Sequence, residues 1–255
     1  MSVGAQIKAL SFSLLFLILD YLKNLRKKFF AHFINSFMDG YNQLNDELKK
    51  KHFESLGNVQ SKSEPLRGAN KFSLVEVGVG SGANFKYLPS NCVMTVVDPN
   101  PHFQKLFEEN KKKFPEIEVS KFIVAAGEDM HEIPDNSVDV VVVTLVLCSV
   151  QSQAAFLSEV KRILVPGGKF YFWEHIGDTQ GTLMQRTQVV GDYIWPYIFD
   201  GCRIARNSTE EIERSGFSGC NSTKFYVRAP DTAYFFQRWI LNYFIGSHVR
   251  GVATK

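Results

Sequence analysis

Three glycines at alternate positions follow a short apolar run, and no other stretch constrains the fold of this chain as much. The run Leu74–Val77 precedes Gly78, Gly80 and Gly82, and a helix-compatible segment follows at residues 83–88. A buried strand, a tight glycine turn and a helix form the first half of a nucleotide-binding βαβ unit. The sequence therefore predicts an α/β fold that binds a nucleotide-like ligand at this turn.

Strand-like and helix-like segments alternate after the glycine turn. Strands that lack polar alternation are buried on both faces, which is typical of a parallel sheet covered by helices. A chain of 255 residues can bury one sizeable core of this kind. We therefore predict an α/β fold with a doubly wound, mostly parallel, seven-stranded sheet. The predicted strands are 72–77, 93–98, 119–124, 138–144, 169–174, 223–227 and 248–252, and the predicted helices are 83–88, 103–114 and 153–164.

The first 28 residues differ in character from the rest of the chain. An uncharged stretch of eleven residues lies between Lys8 and Asp20, and a basic flank follows at residues 23–28. Roughly 20 residues are needed to span a bilayer, so this segment just spans it with its charged ends at the headgroups, lies in the interface or forms a re-entrant hairpin. A buried core helix is disfavoured because no polar face recurs at helical spacing, and a signal peptide because no cleavage site follows. We predict a membrane anchor over residues 1–28, with the following domain in the cytosol.

Residues 29–70 join this anchor to the α/β domain, which we place at residues 71–255. Apolar side chains recur at helical spacing over Phe29–Met38 and predict a helix that continues the membrane surface or caps the domain. The Ser, Gly, Pro and Asn content of residues 57–70 predicts a linker. The lysine run at residues 49–51 is predicted to be a solvated helix face.

Charge and cysteine spacing exclude several classes of function. Residues 1–71 carry eleven Lys/Arg against six Asp/Glu, which leaves 18 against 20 for residues 72–255, so the α/β domain is not predicted to bind nucleic acid. The four cysteines, at positions 92, 148, 202 and 220, have no C-x-x-C spacing. We therefore predict no metal site, no disulfide framework and a reducing, cytosolic environment.

Dinucleotides and S-adenosylmethionine both bind at a strand, glycine turn and helix of this kind. The acidic residues near the turn indicate which of the two ligands binds. Glu76 lies two residues before the first glycine, where a carboxylate suits the cationic methionyl end of S-adenosylmethionine and would repel a pyrophosphate. Asp98 ends the second strand, where it can accept both ribose hydroxyls of either ligand. Gly127, Glu128 and Asp129 follow the third strand and supply acceptors near an adenine. The combination favours S-adenosylmethionine as the cofactor.

These residues resemble the class I S-adenosylmethionine-dependent methyltransferases over roughly residues 70–175. Finer features resemble the membrane-associated thiol S-methyltransferases, the methyltransferase-like protein 7 group, over nearly the whole chain. The features shared with that group are Gly82–Lys86, Asp98–Pro101, Ala125–Glu128, Val143–Val150, Glu174–His175 and Phe199–Cys202. One departure is Val79, where relatives mostly have Cys. Another is a long apolar and aromatic insert at residues 232–247, predicted to separate the last two strands and either to pack on the core or to form a membrane or substrate lid.

The resemblance implies methyl transfer from S-adenosylmethionine to a small lipophilic acceptor, most simply an alkyl thiol. It also implies a membrane or lipid-droplet surface as partner, and localisation at the endoplasmic reticulum membrane or lipid droplet with the catalytic domain facing the cytosol. A quinone, phenol or lipid acceptor and a non-catalytic lipid-droplet protein are the alternatives. The residues expected to bind the cofactor are Glu76, Gly78, Gly80, Gly82, Asn84, Asp98, Pro99, Asn100, Gly127, Glu128, Asp129, Thr144 and Leu145.

The acceptor is expected outside the carboxyl ends of the fourth and fifth strands. The expected substrate-side residues are Val146, Cys148, Glu174 and Asp200. This region lacks the Asn/Asp-Pro-Pro-aromatic tetrapeptide that grips an amine in many nucleic-acid methyltransferases, which favours a small lipophilic acceptor. A thiol needs a base near neutral pH, and His175 is the candidate; its alternative role is a hydrogen bond to loop backbone.

Overall fold

The computed structural model describes residues 3–231 and 233–255, with side chains from residue 17 onward. Helices and strands alternate through most of the chain, as the apolar pattern predicts. The helices are α1 Val3–Leu44, α2 Asp46–Phe53, α3 Glu64–Gly68, α4 His102–Lys111, α5 Gln153–Ile163, α6 Leu183–Gly191, α7 Trp195–Ile198, α8 Ser208–Arg214 and α9 Phe235–Tyr243. The strands are β1 Phe72–Val77, β2 Cys92–Val97, β3 Glu118–Ile123, β4 Val138–Thr144, β5 Leu164–His175, β6 Gly219–Tyr226 and β7 Ser247–Thr254.

Seven strands form one sheet within the described residues, in the order β3-β2-β1-β4-β5-β7-β6. β1 to β5 pair in parallel, and β7 pairs antiparallel with both β5 and β6. Apolar clusters cover both faces of the sheet, which explains why central strands such as β4 are apolar without alternation. The predicted α/β class and mostly parallel sheet are confirmed.

The prediction of a helix at residues 83–88 is wrong. A turn occupies most of this segment, and the only helical geometry in it is a 3₁₀ turn at Phe85–Tyr87. Pro89 is the reason, because a residue before proline is driven out of helical geometry, and Leu88 is extended with ψ of 141°. The fifth strand is also longer than predicted: it begins at Leu164, and its register against β4 shifts where Pro166–Gly168 bulges out.

Helix α1 is continuous across residues 28 and 29, and its second half lies on the α/β domain. Among the described residues, no helix combines the length and the apolar character required to cross a bilayer. The segment predicted as a linker is docked on the sheet, since the Ser61 hydroxyl donates to Asp139 Oδ2 at 2.7 Å. The insert at residues 232–247 contains α9 and separates β6 from β7, as predicted.

Candidate functional site

A cavity of about 290 Å³ lies at the carboxyl ends of the parallel strands. The loops after β1, β2 and β4 form one end, and the loop after α7 closes the other. Helix α1 covers it with the apolar side chains of Phe30, Phe33, Ile34, Phe37 and Met38. Residues from the predicted cofactor and acceptor regions therefore share one cavity. The predicted residues that line it are Glu76, Gly78, Gly80, Asn84, Asp98, Pro99, Asn100, Gly127, Glu128, Thr144, Leu145, Val146, Cys148, His175 and Asp200.

The glycine turn has the left-handed backbone that its sequence predicts. Gly78, Gly80 and Gly82 have φ of 66°, 54° and 77°. At Gly78 a Cβ would also collide with Val146 Cγ2, so this position excludes larger residues on two grounds. Gly82 does not line the cavity; its missing Cβ makes room for the Phe85 ring, which is a structural role.

Glu76 is buried at the floor of the cavity and leaves one oxygen free. Its Oε1 accepts a hydrogen bond of 2.7 Å from Asn84 Nδ2, which also donates to Thr144 Oγ1 at 2.9 Å. Its Oε2 has no hydrogen-bond partner among the described residues. Burial raises the pKa of this carboxyl to about 7. A buried acceptor without a donor fits a cationic group supplied by a ligand.

Lys49 completes this network, although the sequence predicted a solvated lysine run. The prediction is wrong at Lys49, which is fully buried, and right for Lys50 and Lys51, which are exposed. Its Nζ donates to Asn42 Oδ1 at 2.8 Å and to Asn84 Oδ1 at 3.0 Å. Burial lowers the pKa of Lys49 to about 7, opposed by the carboxylate of Glu76. Lys49 thus holds Asn84 in the orientation that presents its amide to Glu76.

Asp98 lies at the end of β2 with both oxygens hydrogen-bonded to the backbone. Oδ2 accepts from the amide of Gly80 and Oδ1 from the amide of Asn100, both at 2.9 Å. Burial raises the pKa of Asp98 to about 6. Each oxygen has a second lone pair, so the carboxylate can still accept hydroxyl groups from the cavity.

Helix α1 is tied to the loop that follows Asp98. Lys27 Nζ donates to the carbonyl of Pro99 at 2.9 Å, and Asn100 Nδ2 donates to the carbonyl of Lys27 at 3.0 Å. The rings of Phe30 and Phe103 meet edge to face, with centroids 6.2 Å apart. Of the two alternatives predicted for the apolar stripe on this helix, the stripe caps the domain, and the cap lies over the cavity.

The loop after β3 places two of the three predicted adenine-side residues at the cavity and the third outside it. Gly127 and Glu128 line the cavity, and Glu128 Oε1 accepts from the Gln151 amide at 2.6 Å, before α5 begins. Asp129 does not line it; its exposed carboxylate pairs with His131 at 2.9 Å, which lowers the pKa of Asp129. Asp129 is therefore separated from the other predicted cofactor residues.

The loop after β4 turns sharply at the centre of the site. Leu145 has a left-handed backbone with φ of 59°, an uncommon conformation for a residue with a side chain. The turn is held by the Val146 amide, which donates to Glu174 Oε1 at 2.9 Å. Glu174 is therefore a buried support beneath the cavity and not a residue of its wall, and burial raises its pKa to about 8.

Cys148, His175 and Cys202 meet at the acceptor end of the cavity. They come from the loop after β4, the end of β5 and the loop after α7, and His175 Nε2 lies 3.2 Å from Cys202 Sγ. Burial disfavours protonation of His175, but Cys148, Glu174 and Asp192 together outweigh burial and raise the pKa of the imidazole. A hydrogen bond with Cys202 and burial raise the pKa of the Cys148 thiol well above its usual range.

The mouth of the cavity is closed by contacts between α1 and the loop after α7. The Phe33 and Phe199 rings lie 5.6 Å apart, and Arg26 Nη2 lies 3.3 Å from Asp200 Oδ1. Tyr41, Trp195 and Ile240 pack together behind this wall. The predicted substrate-side residue Asp200 thus lines the cavity while binding α1.

The residues present fit S-adenosylmethionine. The free Oε2 of Glu76 suits an α-ammonium group, and Asp98 lies one strand away, where ribose hydroxyls can reach it. The backbone of the glycine turn lies between them. The far end of the cavity is lined mainly by apolar side chains, and its polar groups are those of Cys148, Ser149, His175, Asp200 and Cys202. Such an arrangement can hold a cationic methyl donor against a small apolar nucleophile while excluding water.

Comparison with known proteins agrees with this chemistry. The methyltransferase domain family matches residues 75–172. Human thiol S-methyltransferase TMT1A is 42% identical over 229 residues, which cover 90% of this chain and 87% of that protein. Human thiol S-methyltransferase TMT1B is 39% identical over 196 residues and covers 76% of each chain.

Solved structures share the fold at low sequence identity. Phosphoethanolamine N-methyltransferase 2 of Haemonchus contortus, solved with phosphomonomethylethanolamine and S-adenosylhomocysteine, aligns with a TM-score of 0.61 at 14% identity over 86% of this chain and 56% of that chain. A possible histamine N-methyltransferase of Thermotoga maritima aligns with a TM-score of 0.55 at 16% identity over 89% of this chain and 97% of that chain. At these identities the likeness extends to the fold alone.

Proposed function

Because this chain belongs to the thiol S-methyltransferase family of S-adenosylmethionine-dependent methyltransferases, we propose that it methylates small lipophilic thiols in this cavity. One observation carries the proposal: a single cavity joins the buried carboxylates of Glu76 and Asp98 to a mainly apolar end that contains His175. The donor end suits a cation with ribose hydroxyls. The acceptor end suits a small apolar molecule with one reactive atom.

S-adenosylmethionine, when bound, supplies a methyl group on a sulfonium that a nucleophile takes by in-line displacement. Glu76, held by Asn84, would bind the ammonium of the methionyl end, and Asp98 would accept the ribose hydroxyls. Gly127 and Glu128 would lie against the adenine, and Thr144 and Leu145 near the methionyl chain. The roof of α1 excludes water from this space. Alignment of the two reacting sulfur atoms is the main contribution of such a site.

A thiol becomes a strong nucleophile only after it loses its proton. His175 is the group in the acceptor end that can accept this proton, and its neighbour Cys202 can pass it on, since Nε2 and Sγ are 3.2 Å apart. The raised pKa of the imidazole makes it a stronger base, and it must be neutral to act. We expect the rate to rise with pH through the pKa of His175.

An acceptor panel with labelled methyl donor tests the proposed function. The full-length protein is incubated with an alkyl thiol, the alcohol with the same carbon chain, a phenol and a quinol. We expect label in the thiol and none in the alcohol, because the two differ only in the reacting atom. Label in the phenol or quinol alone would contradict thiol methylation and indicate that the protein methylates another class of small molecule. Donor binding without transfer to any acceptor would favour a non-catalytic role.

We also propose that this protein docks on the endoplasmic reticulum membrane or on lipid droplets, with its catalytic domain facing the cytosol. Two observations support the proposal. Large apolar side chains are exposed on α1, on the segment from α6 to α7 and on α9, and rings of α1 and α9 meet where Phe33 lies 6.1 Å from Phe236. The basic flank at residues 23–28 suits anionic headgroups. The exposed apolar residues include Leu17, Ile18, Leu22, Leu25, Phe29, Tyr193, Ile194, Tyr197, Tyr234, Phe235 and Trp239.

Flotation with liposomes tests this docking. We expect the protein to float with vesicles that contain anionic lipid, and Phe235→Asp with Trp239→Asp to weaken flotation, because two charges enter the apolar surface. Asn58→Asp with Gln60→Glu is the matched control, because it adds the same two negative charges at exposed positions outside the apolar surface. Glycosylation at Asn207 or Asn221 in cells would place the domain in the lumen and contradict the cytosolic orientation.

A further inference from the structure

Three soft donor atoms converge on the acceptor end of the cavity from distant parts of the chain. They are the sulfur atoms of Cys148 and Cys202 and a ring nitrogen of His175, and all lie within 4.8 Å of one another. Cys148 and His175 are buried, and Cys202 is partly exposed. The spacing of these residues in the sequence predicted no metal site, because the ligands come from three separate elements that only the fold brings together.

The three donor atoms are close enough to share one ion: His175 Nε2 and Cys202 Sγ are 3.2 Å apart, and no pair is more than 4.8 Å apart. Thiolate sulfur binds Zn²⁺ at about 2.3 Å and imidazole nitrogen at about 2.0 Å, so donor atoms of a tetrahedral site lie roughly 3.5–4 Å apart. Without an ion, His175 contacts Cys202, and Cys148 Sγ lies 3.5 Å from the Leu145 carbonyl and 3.4 Å from Ser149 Oγ. The Glu174 carboxylate is buried beside this cluster, and its Oε2 lacks a hydrogen-bond partner within the part of the chain that the structure describes.

We propose that Cys148, His175 and Cys202 bind one thiophilic divalent cation such as Zn²⁺. Binding breaks two S–H bonds, forms two metal–sulfur bonds and one metal–nitrogen bond, and releases two protons to solvent. Two thiolates balance the charge of the ion. Because all three ligands line the cavity, the ion faces the space where the acceptor binds.

The site has a consequence for catalysis that rests on the proposed function. An ion on His175 occupies the lone pair that would accept the proton of the acceptor thiol. The metal-loaded protein is therefore the slower form, and removal of the ion restores the rate. Binding of the ion itself does not depend on any methyl acceptor. An experiment can therefore refute the metal site without refuting thiol methylation, and the reverse.

Titration with Co²⁺ tests the site directly. The full-length protein, reduced with a phosphine and free of donor and acceptor, is titrated while absorption is recorded. We expect thiolate-to-cobalt charge transfer in the near ultraviolet and intense visible bands of a tetrahedral site, saturating at one ion per chain, with Zn²⁺ displacing Co²⁺. No charge-transfer band, or visible bands of the octahedral aqueous ion alone, would overturn the proposal.

Variants assign the signal to these residues. Cys202→Ser and His175→Ala should weaken Co²⁺ binding by roughly 100-fold or more, since loss of an outer partner alone costs about 10- to 100-fold. Cys220→Ser removes an exposed thiol outside the cluster and should bind Co²⁺ like the unaltered protein. Cys202 is partly exposed, so its replacement is expected to fold even if that of buried Cys148 does not. An unchanged titration of Cys202→Ser would refute the site.

Single turnovers with a monothiol then compare protein treated with a chelator and protein loaded with Zn²⁺. We expect the loaded form to be slower. If both forms are inactive while the cobalt signal is present, the proposed function fails and the metal site stands. If both transfer methyl groups at the same rate, the inhibitory role is refuted.

Discussion

Replacement of Glu76 by Gln should weaken binding of the methyl donor without unfolding the site. The amide can keep its oxygen toward Asn84 Nδ2, which is 2.7 Å from Oε1 in the unaltered protein. At the position of the free Oε2 it places an NH₂ group, which cannot accept a hydrogen bond from an ammonium. Loss of a hydrogen bond to a charged group costs about 1.5–3 kcal/mol, which corresponds to a dissociation constant about 10- to 150-fold higher.

Titration calorimetry with S-adenosylhomocysteine measures this change, because that molecule carries the same α-ammonium group. Glu118→Gln is the matched control: it removes a carboxylate that is exposed and pairs with Lys71 at 2.6 Å, and its affinity should equal that of the unaltered protein. Thermal unfolding in the absence of ligand shows that each variant is folded. An affinity for Glu76→Gln within about twofold of the unaltered protein would refute the assigned role of the free oxygen.

The same carboxylate makes donor affinity depend on pH. Burial raises the pKa of Glu76 to about 7, and only its ionised form attracts the ammonium group. Affinity should therefore be full above pH 7 and fall as the pH drops below it, by up to about tenfold for each pH unit. This slope should shrink in Glu76→Gln. A slope of equal size in both proteins would assign the titration to another group.

Three further predictions concern the rest of the site. Asp98→Ala should abolish binding of S-adenosylhomocysteine, because the buried carboxylate also orients the amides of Gly80 and Asn100; wild-type affinity in calorimetry would overturn its assignment. His175→Ala should slow thiol methylation by roughly 10²- to 10⁴-fold and remove the loss of rate at low pH, so an unchanged pH–rate profile would exclude it as the base. Lys49→Met should weaken donor binding by about tenfold and leave the KM for the acceptor unchanged, since it frees Asn84 but does not touch the cavity; equal affinity would make Lys49 purely structural.

Predictions from sequence succeeded where residues close in the chain also set the local geometry. Strand β4 was predicted at its observed bounds because a strand in the middle of a parallel sheet carries a continuous apolar run, here Val140–Val143. The glycine turn was predicted because Gly78 requires a left-handed backbone that few other residues adopt. Glu76 and Asp98 were placed at one end of a cavity because the carboxyl ends of parallel strands meet at the same edge.

Predictions failed or were silent where the neighbours come from elsewhere in the chain. Lys49 looks like one of three solvated lysines, but tertiary packing buries it against Asn42 and Asn84. Asp129 looks like a partner of Glu128, but the backbone turns its side chain to solvent. The burial of Lys49 has no signal in the residues next to it, whereas the partner of Asp129 is the nearby His131.

The sequence by itself determined the frame and the donor, because strand periodicity, the glycine turn and the acids at strand ends act over a few residues. Only the tertiary structure decided what encloses and equips the acceptor end. There the roof of α1 meets a loop more than 160 residues away, where Phe33 packs on Phe199, and Cys148, His175 and Cys202 come together from three elements. Such contacts depend on how whole helices pack across the sheet edge. The spacing of residues along the chain does not predict that packing.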